Sequence, residues 1–182
     1  MIVLRFSTFA VAALAAVLIA MTAPGGIAQQ SSPSLDETAG WLTNVYAGHG
    51  TFEYPTCEHC VAKEVISLAI DACSARMTEN VTMVNSSGVD RSEIRVTDVQ
   101  LGQLDPSRAK SHTNRDGTSA GLDVSATDGR KSITVTISQN GSSKVYSFSD
   151  FSIPLPLGDF TERAAKAWIH AIELCGGKSS AF

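Results

Sequence analysis

Hydrophobic and polar positions alternate along this chain in two distinct rhythms, and the change from one to the other divides it into elements. The segment "SLDETAGWLTNVYAGHG", residues 34–50, carries apolar side chains at helical intervals: Leu35, Thr38/Ala39, Leu42 and Val45/Tyr46. Ser34 and Glu37 stand at capping-box spacing before it, and Gly48 is placed to end a helix in the left-handed conformation. Trp41 widens the apolar face, so this helix is expected to pack on the rest of the fold. A second helical rhythm closes the chain in "GDFTERAAKAWIHAIELCGGKSSAF", with Phe160, Ala164, Ala167/Trp168, Ala171/Ile172 and Cys175 on one broad face. Asp159 and Glu162 can cap its start and Gly176-Gly177 stop it. His170 falls with Arg163, Lys166 and Glu173 on the polar side, as a solvated surface histidine.

Between the helices the period is two. In residues 119–151 the dipeptides Asp128-Gly129 and Asn140-Gly141 are hairpin turns that supply the positive φ of a type I′ turn. Pairing outward from the first sets Val124 against Ile133 and Leu122 against Val135. Pairing outward from the second sets Ile133 against Phe148 and Val135 against Tyr146, so the two turns predict one three-stranded meander with those residues on one face. Upstream, "SEIRVTDVQLGQLDPS" reads as a strand closed by an Asp105-Pro106 turn, with a phase slip between Val96 and Val99 that predicts a bulge near Thr97-Asp98. Residues 61–84 fit both rhythms: Val61, Val65, Leu68/Ala69, Ala72 and Cys73 suit a helix face, whereas Ile66, Leu68 and Ile70 alternate as in a strand.

The first 28 residues follow neither pattern. One positive charge at Arg5, an apolar run from Phe6 to Met21, then a Pro/Gly break and small residues at Gly26 and Ala28 make the three-part pattern of a secretory signal cleaved after Ala28. The apolar run is shorter than the about 20 residues a spanning helix needs. The expectation is an exported chain, periplasmic or secreted, with a single domain over residues 29–182 and no integral membrane segment once the signal is removed. Cleavage removes one of the 14 basic residues and none of the 18 acidic ones, so the formal charge moves from −4 to −5. Such a balance speaks against nucleic acid or an anionic membrane as partner, since either needs a basic patch.

Export changes the reading of the cysteines. Four of them, Cys57, Cys60, Cys73 and Cys175, favour two disulfides in an oxidising compartment. The preferred connectivity joins Cys73 to Cys175, stapling the sheet to the C-terminal helix, and leaves Cys57 and Cys60 for each other. The stretch "TCEHC" also admits two other chemistries. A Cys-x-x-Cys pair beside a histidine suits thiol redox, although the βαβ context of thioredoxin-like motifs is missing. His49, Cys57, His59 and Cys60 together offer two imidazoles and two thiolates, enough for a tetrahedral zinc or copper site. Haem attachment would need a histidine after the second cysteine, where Val61 stands.

Enzyme signatures are missing from the sequence: it holds no Gly-x-Ser-x-Gly elbow, phosphate loop, dinucleotide fingerprint or His-Glu-x-x-His helix. His112 and Asp116 in "SHTNRDGTS" have the residue types of a base and its orienter, but the Asn/Asp/Gly content makes a hairpin loop the better reading, and no catalytic residue is assigned.

A strand containing Cys73, a strand ending in the Leu-Asp-Pro turn of "LGQLDPS", and the terminal "ERAAKAWIHAIELCGGK" helix followed by a final Phe resemble a group of uncharacterised exported bacterial proteins. The resemblance spans residues 64–182 and rests most on "LDP" and "HAIELCGGK"; "CEHC" is outside it. It implies strands around Cys73 and no particular activity. The fold expected is α+β: a strongly bent antiparallel sheet, pleckstrin-homology-like, with an N-terminal helix and a C-terminal capping helix. The alternative is an open sheet with both helices on one face. The function expected is a non-enzymatic module, without cofactor, that binds a protein or peptide at a sheet edge or beside the C-terminal helix. The alternative is an envelope thiol-redox or metal-handling protein centred on "CEHC".

Overall fold

Ser34 and Glu37 exchange hydrogen bonds as a capping box, the Ser34 amide donating to Glu37 Oε2 at 2.7 Å and the Glu37 amide to Ser34 Oγ at 3.3 Å. They start helix α1 (Leu35–His49), which buries Thr38, Ala39, Leu42, Val45 and Tyr46. The computed structural model describes residues 32–85, 88–115 and 117–178, without the side chains of Cys57, Val89 and Asp90. The expected signal segment, residues 1–28, lies outside them. Gly48 does not end α1; it stays in the helix, and the stop falls at Gly50 with φ −85°. Close approach makes Gly50 the breaker, because a Cβ there would lie 2.5 Å from the Tyr46 carbonyl oxygen and 2.6 Å from that of Ile66.

Nine strands follow: β1 (Thr51–Cys57), β2 (Cys60–Asp71), β3 (Ser74–Asn85), β4 (Gly88–Gln100), β5 (Lys110–Thr113), β6 (Ala120–Ser125), β7 (Ile133–Gln139), β8 (Ser142–Phe148) and β9 (Asp150–Pro154). Helix α2 (Thr161–Leu174) completes an α+β fold. Residues 61–84 are two strands, β2 and β3, joined at a tight turn in which Ala72 takes φ 47°. All pairings are antiparallel, and the strands divide into two sheets in the orders β1-β2-β3-β4-β7-β8 and β5-β6-β9.

The expected meander is half present. Across Asn140-Gly141, with φ 51° and 75°, Ile133 pairs with Phe148 and Val135 with Tyr146 as the turn chemistry predicts. The Asp128-Gly129 hairpin does not form, because Gly129 takes positive φ (68°) and Asp128 does not. Backbone bonds from Ala126 to Ser149 and from Thr127 to Gln103 hold this loop instead. β6 therefore pairs with β5 and β9, Val124 facing Phe151 and Leu122 facing Ile153, while β7 crosses to β4. The expected bulge at Thr97-Asp98 is also absent, β4 staying in register with β3 there; the register shifts at Met83/Val84.

The core lies between the large sheet, the small sheet and the two helices, around Leu42, Tyr46, Ile66, Leu122, Ile133, Leu155, Trp168 and Ile172. Trp168 Nε1 donates to the Tyr46 hydroxyl at 3.2 Å, which donates to the Pro154 carbonyl at 2.6 Å. One polar relay thus joins α2, α1 and β9 inside the apolar core. Neither Asp159 nor Glu162 caps α2 with its side chain; Thr161 Oγ1 donates to the Pro156 carbonyl instead. The helix stops at Gly176 (φ 78°), whose amide bonds to the Glu173 carbonyl. The Cys73–Cys175 disulfide ties the β2–β3 turn to that end of α2. His170, expected in solvent, reaches back to the Pro33 carbonyl, 3.0 Å from Nε2, and so connects α2 to the entry of α1. No helix among the described residues is long and apolar enough to cross a membrane.

Candidate functional site

Alternation along β2, β3 and β4 turns one set of side chains toward the core, and that set is not wholly apolar. On β3 it runs Ala75, Met77, Glu79, Val81; on β4, Glu93, Arg95, Thr97, Val99. In β2, Glu64 falls in phase with Ala62, Ile66 and Leu68. The lower half of this face is covered by the helices. The upper half holds a charged belt, with Glu79 opposite Arg95 in register and Glu64 on the same face one strand away.

Arg95 is spent mainly on Glu93, with Nε 2.5 Å from Oε1, and lies farther from Glu79, Nη1 to Oε2 being 3.7 Å. Arg91 supports Glu93 from its other side at 3.0 Å. Hydrogen bonds from Arg95 above all hold the Glu93 carboxyl below its usual range. Glu79 has the opposite fate. It is only 5% exposed, and burial first, then the neighbouring Glu64 carboxylate, push its pKa up to about 7 against the pull of Arg95. Glu64 and Glu79 line the same cleft from neighbouring strands, and the charge of one opposes ionisation of the other at Glu79. The Tyr54 hydroxyl reaches Glu64 Oε2 at 3.5 Å, and burial ahead of the Glu64 charge raises its pKa.

Glu64, Glu79 and Arg95, with Thr97 and Val135, form one wall of a cleft of about 310 Å³. The three-stranded sheet supplies the other wall through His112 of β5, Ser119, Ala120 and Gly121 at β6, and Phe151, Ser152 and Pro154 of β9. His112 Nδ1 lies 3.4 Å from Asp123 Oδ2. The ring fits there because residue 121 is glycine, whose missing Cβ would sit 2.7 Å from His112 Cε1 and 2.6 Å from Ser152 Oγ. Thr97 also lines the cleft; it is 2% exposed, and its Oγ1 has no hydrogen-bond partner among the described residues. A buried hydroxyl left unpaired costs about 1–3 kcal/mol, so the cleft holds an unused hydrogen-bonding group.

The residues singled out by sequence are scattered. Cys57 and Cys60 are Cα partners across the exposed Glu58-His59 turn at the tip of β1 and β2. Cys60 is disulfide-bonded, while the Cys57 side chain, and with it the expected Cys57–Cys60 bond, lies outside the described residues. His49 is at the other end of β1, stacked on Phe160 with ring centroids 4.2 Å apart. Six strand steps of about 3.3 Å, roughly 20 Å, run from Thr51 to Cys57, so the backbone places His49 at the opposite end of β1 from the Cys57–Cys60 turn. Among the described residues no group of three or more His, Cys, Asp or Glu side chains is placed to hold a metal. His112 does reach the cleft; Asp116, its expected partner, lies outside the described residues.

Sequence reasoning passed over Glu64, Glu79, Arg95 and Thr97. The available signal was phase: Glu64 and Glu79 occupy inward positions of strands whose other inward residues are apolar, and Arg95 and Thr97 stand in phase with buried Val99 of β4. A larger surface groove of about 560 Å³ gathers Arg130, Lys131 and Lys178 near Gly176. Arg130 pairs with Asp128 at 2.8 Å there, and the groove faces the carbonyl end of α2, which favours cations and leaves no reason for an anion to settle. No family model matches the chain, and no curated protein and no solved structure is similar to it.

Proposed function

We propose that the chain is an exported binding domain that recognises a peptide, taking one polar side chain into the cleft between the two sheets. The unpaired Thr97 hydroxyl on the cleft wall carries this reading: a polar group kept dry and unsatisfied is an asset when a ligand supplies its partner. The cleft volume of about 310 Å³ lies at the small end of ligand sites, enough for one amino-acid side chain and its backbone.

The surroundings favour an extended chain as ligand. Met77, Thr97, Val135 and Tyr146 lie in one cross-strand row, so the wall runs from the cleft to edge strand β8. There Tyr146 and Phe148 stack with ring centroids 6.4 Å apart, both exposed, beside a seven-residue edge without proline or bulge. The opposite edge, β1, is blunted by Pro55 and a register shift. Peptides commonly add to open edges of this kind. The Cys73–Cys175 disulfide fits export to an oxidising compartment.

Blocked tripeptides Gly-Xaa-Gly, with Lys, Gln, Glu or Leu at the centre, test the reading when titrated into the protein by two-dimensional NMR. A polar-centred peptide should shift the resonances of Thr97, Val135 and His112, and a Leu-centred one should not. Thr97→Val, an isostere that removes only the unpaired hydroxyl, should keep the folded spectrum and weaken binding about tenfold. Absence of cleft shifts with every peptide would refute it.

A further inference from the structure

Resting on that reading, we infer that the side chain the cleft selects is a cation, an ammonium or guanidinium seated against Glu64 and Glu79 beside Thr97. The argument is one of charge and geometry. Two carboxyl groups, Glu64 and Glu79, line one cleft from neighbouring strands, and burial with the Glu64 charge raises the Glu79 pKa. The nearest permanent cation, Arg95, is engaged by Glu93 at 2.5 Å and stands 3.7 Å from Glu79. A ligand cation entering beside the two would favour ionised Glu79 and offer a donor to Thr97 Oγ1, the buried unpaired hydroxyl on the same wall. Phe151 on the facing wall adds a ring face to which a cation is drawn.

The other classes fit worse. An anion entering this space meets Glu64 and Glu79 first, and Arg95 is already engaged by Glu93. A neutral amide can satisfy Thr97 but brings no charge to Glu79, which keeps its proton. Cation binding therefore has a signature: the Glu79 proton leaves for solvent as the cation arrives, with no other bond made or broken.

Other titrating groups face Glu79 from the elements around it. Glu64 stands on β2, Tyr54 on β1, Glu93 and Arg95 on β4, and Tyr46 on α1. Across the cleft His112 stands on β5 against Asp123 of β6. Arg95 keeps its charge throughout and both tyrosines stay protonated, since burial foremost raises their pKa. Glu93 is held ionised by its two arginines. The groups left to supply the released proton are Glu79 and His112.

The test is calorimetry with the blocked tripeptides at pH 6.5 and pH 8, each in two buffers of different ionisation enthalpy. Lys- and Arg-centred peptides should bind about tenfold or more tightly than the Gln-centred one, the range of a charge-assisted hydrogen bond. They should release roughly half a proton or more at pH 6.5 and much less at pH 8, where Glu79 has already lost it. Glu79→Gln should abolish the release, while His112→Asn should keep it. Equal binding of the Gln- or Glu-centred peptide, or no proton release from the wild-type protein, would overturn the inference while leaving the peptide cleft standing. If no peptide of any charge binds, the reading beneath it falls as well. Should Glu79→Gln fail to fold, proton release by the wild-type protein still decides.

Discussion

Glu79 shows how one residue departs from what its neighbours dictate. Met77 and Val81 fix the inward phase of β3, and the alternation then delivers a carboxyl group to a face where burial costs it its charge. Its pKa is raised to about 7, so the folded state holds a proton that the unfolded chain has lost. The stability this gives is complete below the ordinary glutamate range and disappears as pH rises through about 7, a change of roughly 3 kcal/mol at most. Glu93 works with the opposite sign, but only on the acid side of the usual carboxylate range, so a comparison between pH 5 and pH 8 isolates Glu79. Glu79→Gln keeps the size of the side chain and never ionises. In urea unfolding it should match wild type near pH 5 and exceed it by up to about 2–3 kcal/mol at pH 8. A variant no more stable than wild type at pH 8 would show that the carboxyl is not held protonated by its surroundings. At this scale the sequence was legible where chemistry is local: the Ser34–Glu37 box and the Asn140-Gly141 turn appear as their residue types require. It misled at Asp128-Gly129, where the loop is set by bonds to Ser149 and Gln103, residues far along the chain.

At the scale of elements, the strands show why polar inward positions obscure a reading. Glu93, Arg95 and Thr97 occupy the inward side of β4 while Ile94 and Val96 face outward, and Ile94 is plainly exposed. Periodicity takes apolar residues as the buried set, so it registers a phase slip and a bulge where the strand is regular. The same inversion concealed the candidate site, because its residues looked like a strand's solvent face. The two helices were legible because each has a continuous apolar stripe, and the relay that fastens them was not, since it depends on Tyr46, Trp168 and Pro154 meeting from three elements. Tyr46→Phe removes the hydroxyl that serves both partners and strands the Trp168 N–H and the Pro154 carbonyl in the core. It should cost about 1–3 kcal/mol in denaturant unfolding, with an unchanged slope. A loss below about 0.5 kcal/mol would mean the relay contributes little beyond the packing of the rings.

Among the described residues, two antiparallel sheets and two helices enclose one core, which a small number of long-range ties fasten. The Cys73–Cys175 disulfide spans a sequence separation of 102, and in the loop-entropy model closing about 100 residues contributes up to about 4.7 kcal/mol. Such ties matter because the sheets do not share strands, and the cleft exists only while both walls keep their places. The α+β class and the Cys73–Cys175 staple were legible in the sequence. The division into two sheets was not, for it turns on whether β7 pairs with β6 or with β4, a choice that hairpin chemistry alone decides wrongly. The central claim is that the space between the sheets receives a peptide side chain, and a crystal structure of the protein with the blocked Gly-Lys-Gly peptide tests it most directly. The account predicts the lysine side chain in the cleft, its ammonium between Glu64 and Glu79 and within hydrogen-bond distance of Thr97 Oγ1. A peptide bound at the β1–β2 tip or elsewhere, with the cleft holding only solvent, would contradict it.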